Sequence, residues 1–340
     1  MISQKIDAYV QNWLKDRKIA GLVLGVFDAG EPLFNQGYGF ANLEHQVPVT
    51  PDTVFSIASI TKLFTGTAVF QLIDQGKLNL SDPIGIYLPD LPPAWQPIQI
   101  HHILAHQSGI KSYTEVPAYW EMTRQDKSYA EVLALMADLP LQFAPGERYT
   151  YDNTGYYLLG LLIEAVSSQT YGDFLQQHIF APLGMRHTRV NDPSAVVPGR
   201  ASGYTVQDGD LHNAEFYSAS NTFSAGVLLS TVNDLGRFGA ALHTDQLLSA
   251  ASRQQMWTPH LSQAQNELKM HFSVGFSWFF VSPPGKRPFI GHNGGMVGFA
   301  SAFIHFADEQ VTAVALYNTD NIAEPHMLAH EAVELYLTEK

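Results

Sequence analysis

The chain has 340 residues, and its 32 acidic side chains outnumber its 19 lysines and arginines, which gives a formal net charge of −13. Hydrophobic residues make up 46% of the chain, enough for a sizeable core, and the length favours two domains. The acidic balance argues against a nucleic acid or an anionic membrane as the main partner. The absence of cysteine excludes disulfides, thiolate nucleophiles and cysteine-ligated metals.

The N-terminal segment predicts no signal peptide, because no basic stretch is followed by an apolar stretch and a small-residue cleavage site. No apolar run approaches the roughly 18 residues that a membrane span requires. The sequence therefore predicts a cytoplasmic protein without a membrane span, or a periplasmic or secreted protein if a leader has been removed. Nothing in it indicates an oligomeric state.

Strand patterns lie at the two ends of the chain, each beside an amphipathic helix. Short apolar runs separated by turn residues predict antiparallel strand pairs, whereas spacings of three and four predict helices. The predicted elements are a helix at 3–18, strands at 21–27, 31–39, 299–306 and 311–318, and a closing helix at 323–337.

Helical patterns fill the centre of the chain, separated by turns rich in proline, glycine and aspartate. The simplest architecture that fits these elements is an α/β domain made from residues 1–58 and 225–340, with a mostly helical domain of residues 59–224 inserted into it. The irregular stretch at 190–225 is expected to form extended loops over a cleft. The predicted central helices cover 59–75, 128–138, 155–168, 171–180 and 230–242.

The first candidate for chemistry is Ser59-Ile60-Thr61-Lys62, which opens a helix that is apolar nearly all round and should be buried. A lysine in the first turn of a buried helix opposes the helix dipole and must lose its charge or find a partner. Because a spacing of three places Lys62 over Ser59, a neutral Lys62 amine can activate the Ser59 hydroxyl. The alternative is that Ser59 caps the helix and Lys62 extends to water.

The second candidate is Tyr151-Asp152-Asn153, which follows a Pro-Gly turn and precedes a helix that is apolar on all sides. Tyr151 can relay a proton, and the side-chain amide of Asn153 can hold a substrate carbonyl. The alternative is that Tyr151 is a core aromatic residue and Asn153 caps the following helix.

The third candidate is the glycine-rich segment His292-Asn293-Gly294-Gly295. A strand of this composition lets a substrate lie close to the backbone, where an exposed amide can donate to an oxyanion. The alternative is a tight turn at Asn-Gly, the strongest short signal for a hairpin.

In this order, the three motifs resemble those of the serine β-lactamase and penicillin-binding-protein superfamily, in the class C β-lactamase-like branch that also holds carboxylesterases and D-amino-acid peptidases. Its Ser-x-x-Lys, Tyr-x-Asn and Lys/His-x-Gly motifs match residues 59–62, 151–153 and 292–294. Residues 103–109, Ile-Leu-Ala-His-Gln-Ser-Gly, resemble a framework segment of the same family. The resemblance covers about residues 5–335. It implies a β-lactamase/transpeptidase-like fold, with an antiparallel sheet from both termini flanked by helices, an inserted helical domain and the active site at the interface.

The resemblance also implies a role for each motif residue, and it requires no cofactor and no metal. Ser59 is the nucleophile that becomes acylated, and Lys62 takes its proton. Tyr151 exchanges protons with the leaving group and later with the attacking water. The residues implied to bind substrate are Asn153, His292 and Gly294, and the oxyanion hole is implied to be the backbone amides of Ser59 and Gly295.

The expected reaction is hydrolysis of a small-molecule ester, amide or D-peptide through a Ser59 acyl-enzyme, with β-lactams as further acylating ligands. His292 stands where many β-lactamases have lysine. Since a neutral imidazole attracts a substrate carboxylate less than an ammonium does, this residue favours ester or amide hydrolysis over β-lactamase activity. One alternative is a penicillin-binding sensor or weak β-lactamase with slow turnover. A more remote one is a metallohydrolase with zinc on histidine pairs such as His102 and His106, or His326 and His330.

Overall fold

The computed structural model of the chain describes residues 2–261 and 272–340. Its strands are β1 (Gly21–Asp28), β2 (Glu31–Asn42), β3 (Val47–Pro48), β4 (Phe55–Ser56), β5 (Arg189–Val190), β6 (Tyr204–Gln207), β7 (Asp210–Asn213), β8 (Leu228–Ser230), β9 (Phe272–Val274), β10 (Phe279–Val281), β11 (Phe289–Met296), β12 (Phe299–Phe306) and β13 (Val311–Tyr317). Its helices are α1 (Ile2–Leu14), α2 (Thr61–Asp74), α3 (Ile100–Leu104), α4 (Pro117–Met122), α5 (Tyr129–Ala137), α6 (Asn153–Ser167), α7 (Tyr171–Leu175), α8 (Val232–Ala241), α9 (Ala250–Met256) and α10 (His326–Glu339).

One antiparallel sheet combines both ends of the chain, in the order β3-β2-β1-β13-β12-β11-β10-β9. The two ends meet where β1 pairs with β13, from Leu22 opposite Tyr317 to Asp28 opposite Val311. This pairing confirms the predicted sheet from both termini. The three-stranded sheet β4-β8-β5 and the hairpin β6-β7 lie outside it.

Helices cover both faces of the central strands, which explains why β1 is apolar without interruption. Alternate side chains of a strand point to opposite faces. Leu22, Leu24 and Val26 accordingly share a core with α1 and α10, whereas Val23 and Phe27 belong to the core that includes α8.

The predicted terminal elements are present, with small shifts at their ends. Helix α1 ends at Leu14, because residues 15–18 are all charged and offer no apolar side chain to the sheet. Helix α10 begins at His326, directly after Pro325. The five predicted central helices are also found, although the one at 171–180 becomes a π-helical turn from Gln176.

Helix α2 lies at the centre of the larger core, as its apolar pattern predicts. Every residue from Thr61 to Leu72 is buried, and the helix packs against α6. The stretch at 190–225 contains the β6-β7 hairpin and a 3-10 segment, Ala219–Ala225, in addition to loops. The division into domains at residues 58/59 and 224/225, with the active site at their interface, stays a prediction.

Within the described ranges, no helix combines the length and the apolar character that crossing a membrane requires.

Candidate active site

Ser59 lies in a short 3-10 turn, Ala58–Ile60, between β4 and α2. Ala58 has a φ of +45°, a left-handed conformation that costs a residue with a Cβ about 1–3 kcal/mol. The turn is anchored to the sheet, since the Ser301 hydroxyl on β12 donates to the Ile57 carbonyl over 2.8 Å. This unusual backbone leaves Ser59 partly exposed at the start of a buried helix.

The amine of Lys62 is completely buried and lies 3.2 Å from the Ser59 hydroxyl oxygen. It donates to Asn153 Oδ1 over 2.8 Å and to the Ala225 carbonyl over 2.7 Å. Burial holds the pKa of Lys62 well below its usual value, although the Asp152 carboxylate opposes the shift. A neutral amine has two N–H donors, which match the two closer acceptors, and its lone pair is left for the Ser59 proton. Lys62 therefore does not extend to water, and that alternative is wrong.

The phenol of Tyr151 borders the same cavity as Ser59. Its ring centre is 4.9 Å from the Lys62 amine, and the Ser59 side chain is near enough to its hydroxyl to act on its pKa. Burial raises the pKa of Tyr151 above its ordinary value, while the Ser59 side chain partly offsets this. The phenol consequently keeps its proton at neutral pH and is suited to donate it.

Asn153 is the first residue of α6, but it does not cap this helix. The cap is Asp152, whose side chain accepts from the Gly155 N–H over 2.9 Å. The Nδ2 atom of Asn153 lies 3.2 Å from the hydroxyls of both Ser112 and Thr114. Together with the bond from Lys62, these contacts fix the amide beside Ser59.

The segment His292-Asn293-Gly294 lies inside β11, paired with β12, so the alternative of a tight Asn-Gly turn is wrong. Gly294 is required here, because a Cβ atom would lie 2.4 Å from the Ile57 carbonyl oxygen and 3.1 Å from the Ser59 nitrogen. Gly295 is exposed, and a Cβ atom there would meet open space. The strand therefore brings its backbone directly against the turn that carries Ser59.

The imidazole of His292 is buried, 4% exposed, between Phe279 and Tyr151. Burial, together with the neighbouring Lys62, lowers the pKa of His292 to about 3. Its Nδ1 lies 2.5 Å from the Asn293 carbonyl oxygen, while its Nε2 finds no partner among the described residues. The ring is therefore neutral at pH 7, unlike a lysine at this position.

Two adjoining cavities flank Ser59. The larger, about 670 Å³, is bordered by Tyr151, His292 and Asp320, among others. The smaller, about 80 Å³, lies beside Asn153 and is bordered by aromatic residues such as Tyr113. The two substituents of a substrate carbonyl placed at Ser59 therefore have two cavities into which they can extend.

The histidines considered for zinc have other contacts. His106 packs its ring on Tyr151 and accepts from the Asp152 N–H at Nδ1 over 3.0 Å. His326 Nδ1 lies 2.9 Å from Asn293 Nδ2, and His330 Nε2 lies 3.0 Å from a carbonyl. In residues 2–261 and 272–340, no three histidine, aspartate or glutamate side chains are grouped so as to hold a metal.

Two groups that the sequence analysis does not assign complete the site. The carbonyl of Ala225 accepts from Lys62, but a backbone carbonyl has no signature in a sequence. Asp152 is 2% exposed and accepts from the Ser108 hydroxyl over 2.6 Å; burial raises its pKa to about 6. In the sequence, only the position of Asp152 between Tyr151 and Asn153 indicates that it belongs to the site.

The chain is similar to known proteins over nearly its whole length. The Beta-lactamase family model matches residues 4–338 of the chain. Penicillin-binding protein 4* of Bacillus subtilis (strain 168) is 28% identical over 337 residues, which cover 92% of this chain and 71% of that protein.

Two solved structures are similar over nearly the whole chain. The octameric penicillin-binding protein homologue from Pyrococcus abyssi has a TM-score of 0.87 and 26% identity, over 99% of this chain and 78% of that one. The D-amino acid amidase from Ochrobactrum anthropi SV3 has a TM-score of 0.85 and 24% identity, over 99% of this chain and 100% of that one. These likenesses confirm the predicted β-lactamase/transpeptidase-like fold.

Proposed function

Because this chain belongs to the β-lactamase family, we propose that it is a serine hydrolase that cleaves esters or amides through an acyl-enzyme on Ser59. One observation carries the proposal. The buried Lys62 amine lies 3.2 Å from the Ser59 hydroxyl oxygen, and its burial favours the neutral form. A neutral amine beside a hydroxyl is the arrangement that general-base activation of a nucleophile requires.

In the acylation half of the proposed reaction, Ser59 Oγ attacks the substrate carbonyl carbon while its proton passes to Lys62 Nζ. The carbonyl oxygen becomes an oxyanion, to which the backbone N–H groups of Ser59 and Gly295 donate. The bond to the leaving group then breaks, and the Tyr151 hydroxyl protonates that group. The proton held by Lys62 returns to Tyr151, so both groups regain their starting protonation states, and the proton lost by Ser59 has in effect departed with the leaving group.

In the deacylation half, a water molecule takes the place of the leaving group. It transfers a proton through Tyr151 to Lys62 as it attacks the acyl carbonyl. The bond to Ser59 Oγ breaks, and the proton returns to that oxygen. Microscopic reversibility supports the use of the same groups in both halves.

The proposed substrates are small esters, amides and D-peptides, with carboxylesterase and D-peptidase or amidase activities as the leading classes. The similarity to a D-amino acid amidase supports the amide class. The neutral His292 supports esters and amides over β-lactams, because it offers no fixed positive charge to a carboxylate. The similarity to penicillin-binding proteins keeps slow turnover of a penicilloyl enzyme as the second candidate.

The test is a side-by-side kinetic assay of short p-nitrophenyl esters, D-phenylalanine amide, a D-Ala-D-Ala peptide and nitrocefin. We expect the wild-type enzyme to hydrolyse at least one ester or amide, and Ser59→Ala to hydrolyse none. Ser282→Ala is the matched control, because Ser282 is an exposed serine in the connection between β10 and β11. Hydrolysis by Ser59→Ala at the wild-type rate would refute the proposal, and a long-lived adduct with nitrocefin alone would favour the second candidate.

A further inference from the structure

The two cavities beside Ser59 differ in which catalytic group they contain. The larger cavity contains Tyr151, which in the proposed function protonates the leaving group. The smaller one contains Asn153 and not Tyr151. A leaving group must lie within reach of its proton donor, so it occupies the larger cavity and the acyl group occupies the smaller one.

The residues that the structure describes at the border of the leaving-group cavity do not provide a positive charge that could attract a carboxylate. Among the described residues that border it, Asp320 is the one with a charged side chain, and none is lysine or arginine. His292 also borders it, but its ring is neutral. Lys62 is buried beneath Ser59, where its amine is already used by Asn153 and Ala225.

Asp320 is held in place without a cation. Its Oδ2 atom accepts from the Gly298 N–H over 3.0 Å, and its Oδ1 accepts from Asn321 Nδ2 over 3.0 Å. No ion pair joins it to any lysine, arginine or histidine in the part of the chain that the structure describes. It is partly exposed and follows β13 by three residues. Its negative charge is therefore not neutralised by a neighbouring ion pair at the cavity.

We propose that Asp320 makes the enzyme select against leaving groups that end in a carboxylate, and favour leaving groups that are neutral or carry an ammonium. This inference rests on the proposed acyl transfer at Ser59. It narrows the substrate class to amides and esters whose leaving group lacks a free acid. Penicillins and peptides with a free C-terminus both present a carboxylate, so they are expected to react more slowly at this site than otherwise equal neutral compounds.

The effect should be measurable but not absolute, because the cavity is open to water and screening reduces the repulsion. A substrate whose carboxylate lies about 4 Å from Asp320 is expected to have a kcat/KM roughly fivefold lower than that of its neutral carboxamide. A substrate with an ammonium group in the same place is expected to have a kcat/KM that is higher by a similar factor.

The test compares acetyl-D-alanyl-D-alanine, its carboxamide, and the N-(2-aminoethyl)amide of acetyl-D-alanine. Wild type should prefer the carboxamide and the ammonium compound. Asp320→Asn keeps an oxygen acceptor for the Gly298 N–H, and it should bring the three kcat/KM values within about twofold of one another. Asp320→Lys should reverse the preference. Asp308→Asn makes the same change at an exposed turn between β12 and β13, and it should leave the wild-type order intact.

Binding to the Ser59→Ala variant, measured by calorimetry, separates this inference from the proposed function, because it needs no turnover. Tighter binding of the carboxamide than of the acid, lost when Asp320→Asn is added, supports the role of Asp320. Equal affinity, including no measurable affinity for either peptide, overturns it. If Ser59→Ala binds the acid and the carboxamide equally while the wild-type enzyme still acylates at Ser59, the selectivity is refuted. The proposed acyl-enzyme mechanism then still stands.

Discussion

The ring of His106 stacks on the ring of Tyr151, with centroids 4.6 Å apart and planes inclined by 29°. The same histidine also holds both chain neighbours of Tyr151. Its carbonyl accepts from the Thr150 N–H, and its Nδ1 accepts from the Asp152 N–H, each over 3.0 Å. His106 is thus a positioning residue that holds the Tyr151 ring and the backbone on both sides of it.

We predict that His106→Ala lowers kcat about 10- to 100-fold and changes KM by less than twofold, because Tyr151 loses its position while the cavities keep their shape. His106 has a φ of +57°, which alanine tolerates poorly and asparagine tolerates well. His106→Asn should therefore recover most of the stability lost in His106→Ala, but not the kcat. Steady-state kinetics and urea unfolding of both variants check this, and a kcat that follows stability alone would contradict it.

We predict that Lys62→Met lowers kcat/KM for esters by about 10²- to 10⁴-fold, the range expected for removing a general base. Methionine matches the length and the buried environment of the lysine stem, so the variant should still fold. Lys77→Met is the control, since Lys77 is exposed just after α2. Ester kinetics and circular dichroism of both variants provide the measurement, and an active, folded Lys62→Met enzyme would assign the base to Tyr151 instead.

We predict that activity falls at acidic pH as Lys62 becomes protonated, and that Asp152→Asn moves this limb to lower pH. The Asp152 carboxylate raises the pKa of Lys62 against the effect of burial, so its removal lowers that pKa further. Asp152 itself has a pKa of about 6, so it is ionised at neutral pH, where it acts on Lys62. The check is kcat/KM from pH 4 to 9 for both proteins, and a limb that stays put or moves upward would speak against this coupling.

We predict that Gly294→Ala loses most of its esterase activity because the added Cβ atom displaces Ser59. For Gly295→Ala we predict a thermal stability equal to that of the wild type. A Cβ atom at Gly294 would overlap the Ile57 carbonyl and press on the Ser59 nitrogen, which must shift the nucleophile. At Gly295 the same atom meets open space. Ester kinetics together with thermal unfolding compare the two variants, and equal effects at both positions would show that the close approach of β11 to Ser59 does not matter.

Much of the site was predictable because its residues carry local signals. The apolar pattern of α2 predicted its burial, and the spacing of three predicted the contact between Lys62 and Ser59. The strand runs at both termini likewise predicted the pairing of β1 with β13.

The rest depends on contacts between distant parts of the chain. The Ala225 carbonyl lies 163 residues from Lys62, and its role arises only when the chain folds. The turn preference of Asn293-Gly294 is overridden by pairing with β12 and by the packing of Gly294 on Ile57. Asp320 acquires its place at the cavity in the same way, because no local pattern distinguishes it from other surface carboxylates.

Intact-mass spectrometry after reaction with a fluorophosphonate, which serine nucleophiles attack with loss of fluoride, tests directly whether Ser59 is the nucleophile. We predict the addition of one phosphonyl group to the wild-type enzyme, located by peptide mapping on Ser59, and no addition to Ser59→Ala. A phosphonyl group on a residue other than Ser59, or an unlabelled wild-type enzyme that still hydrolyses esters, would contradict it.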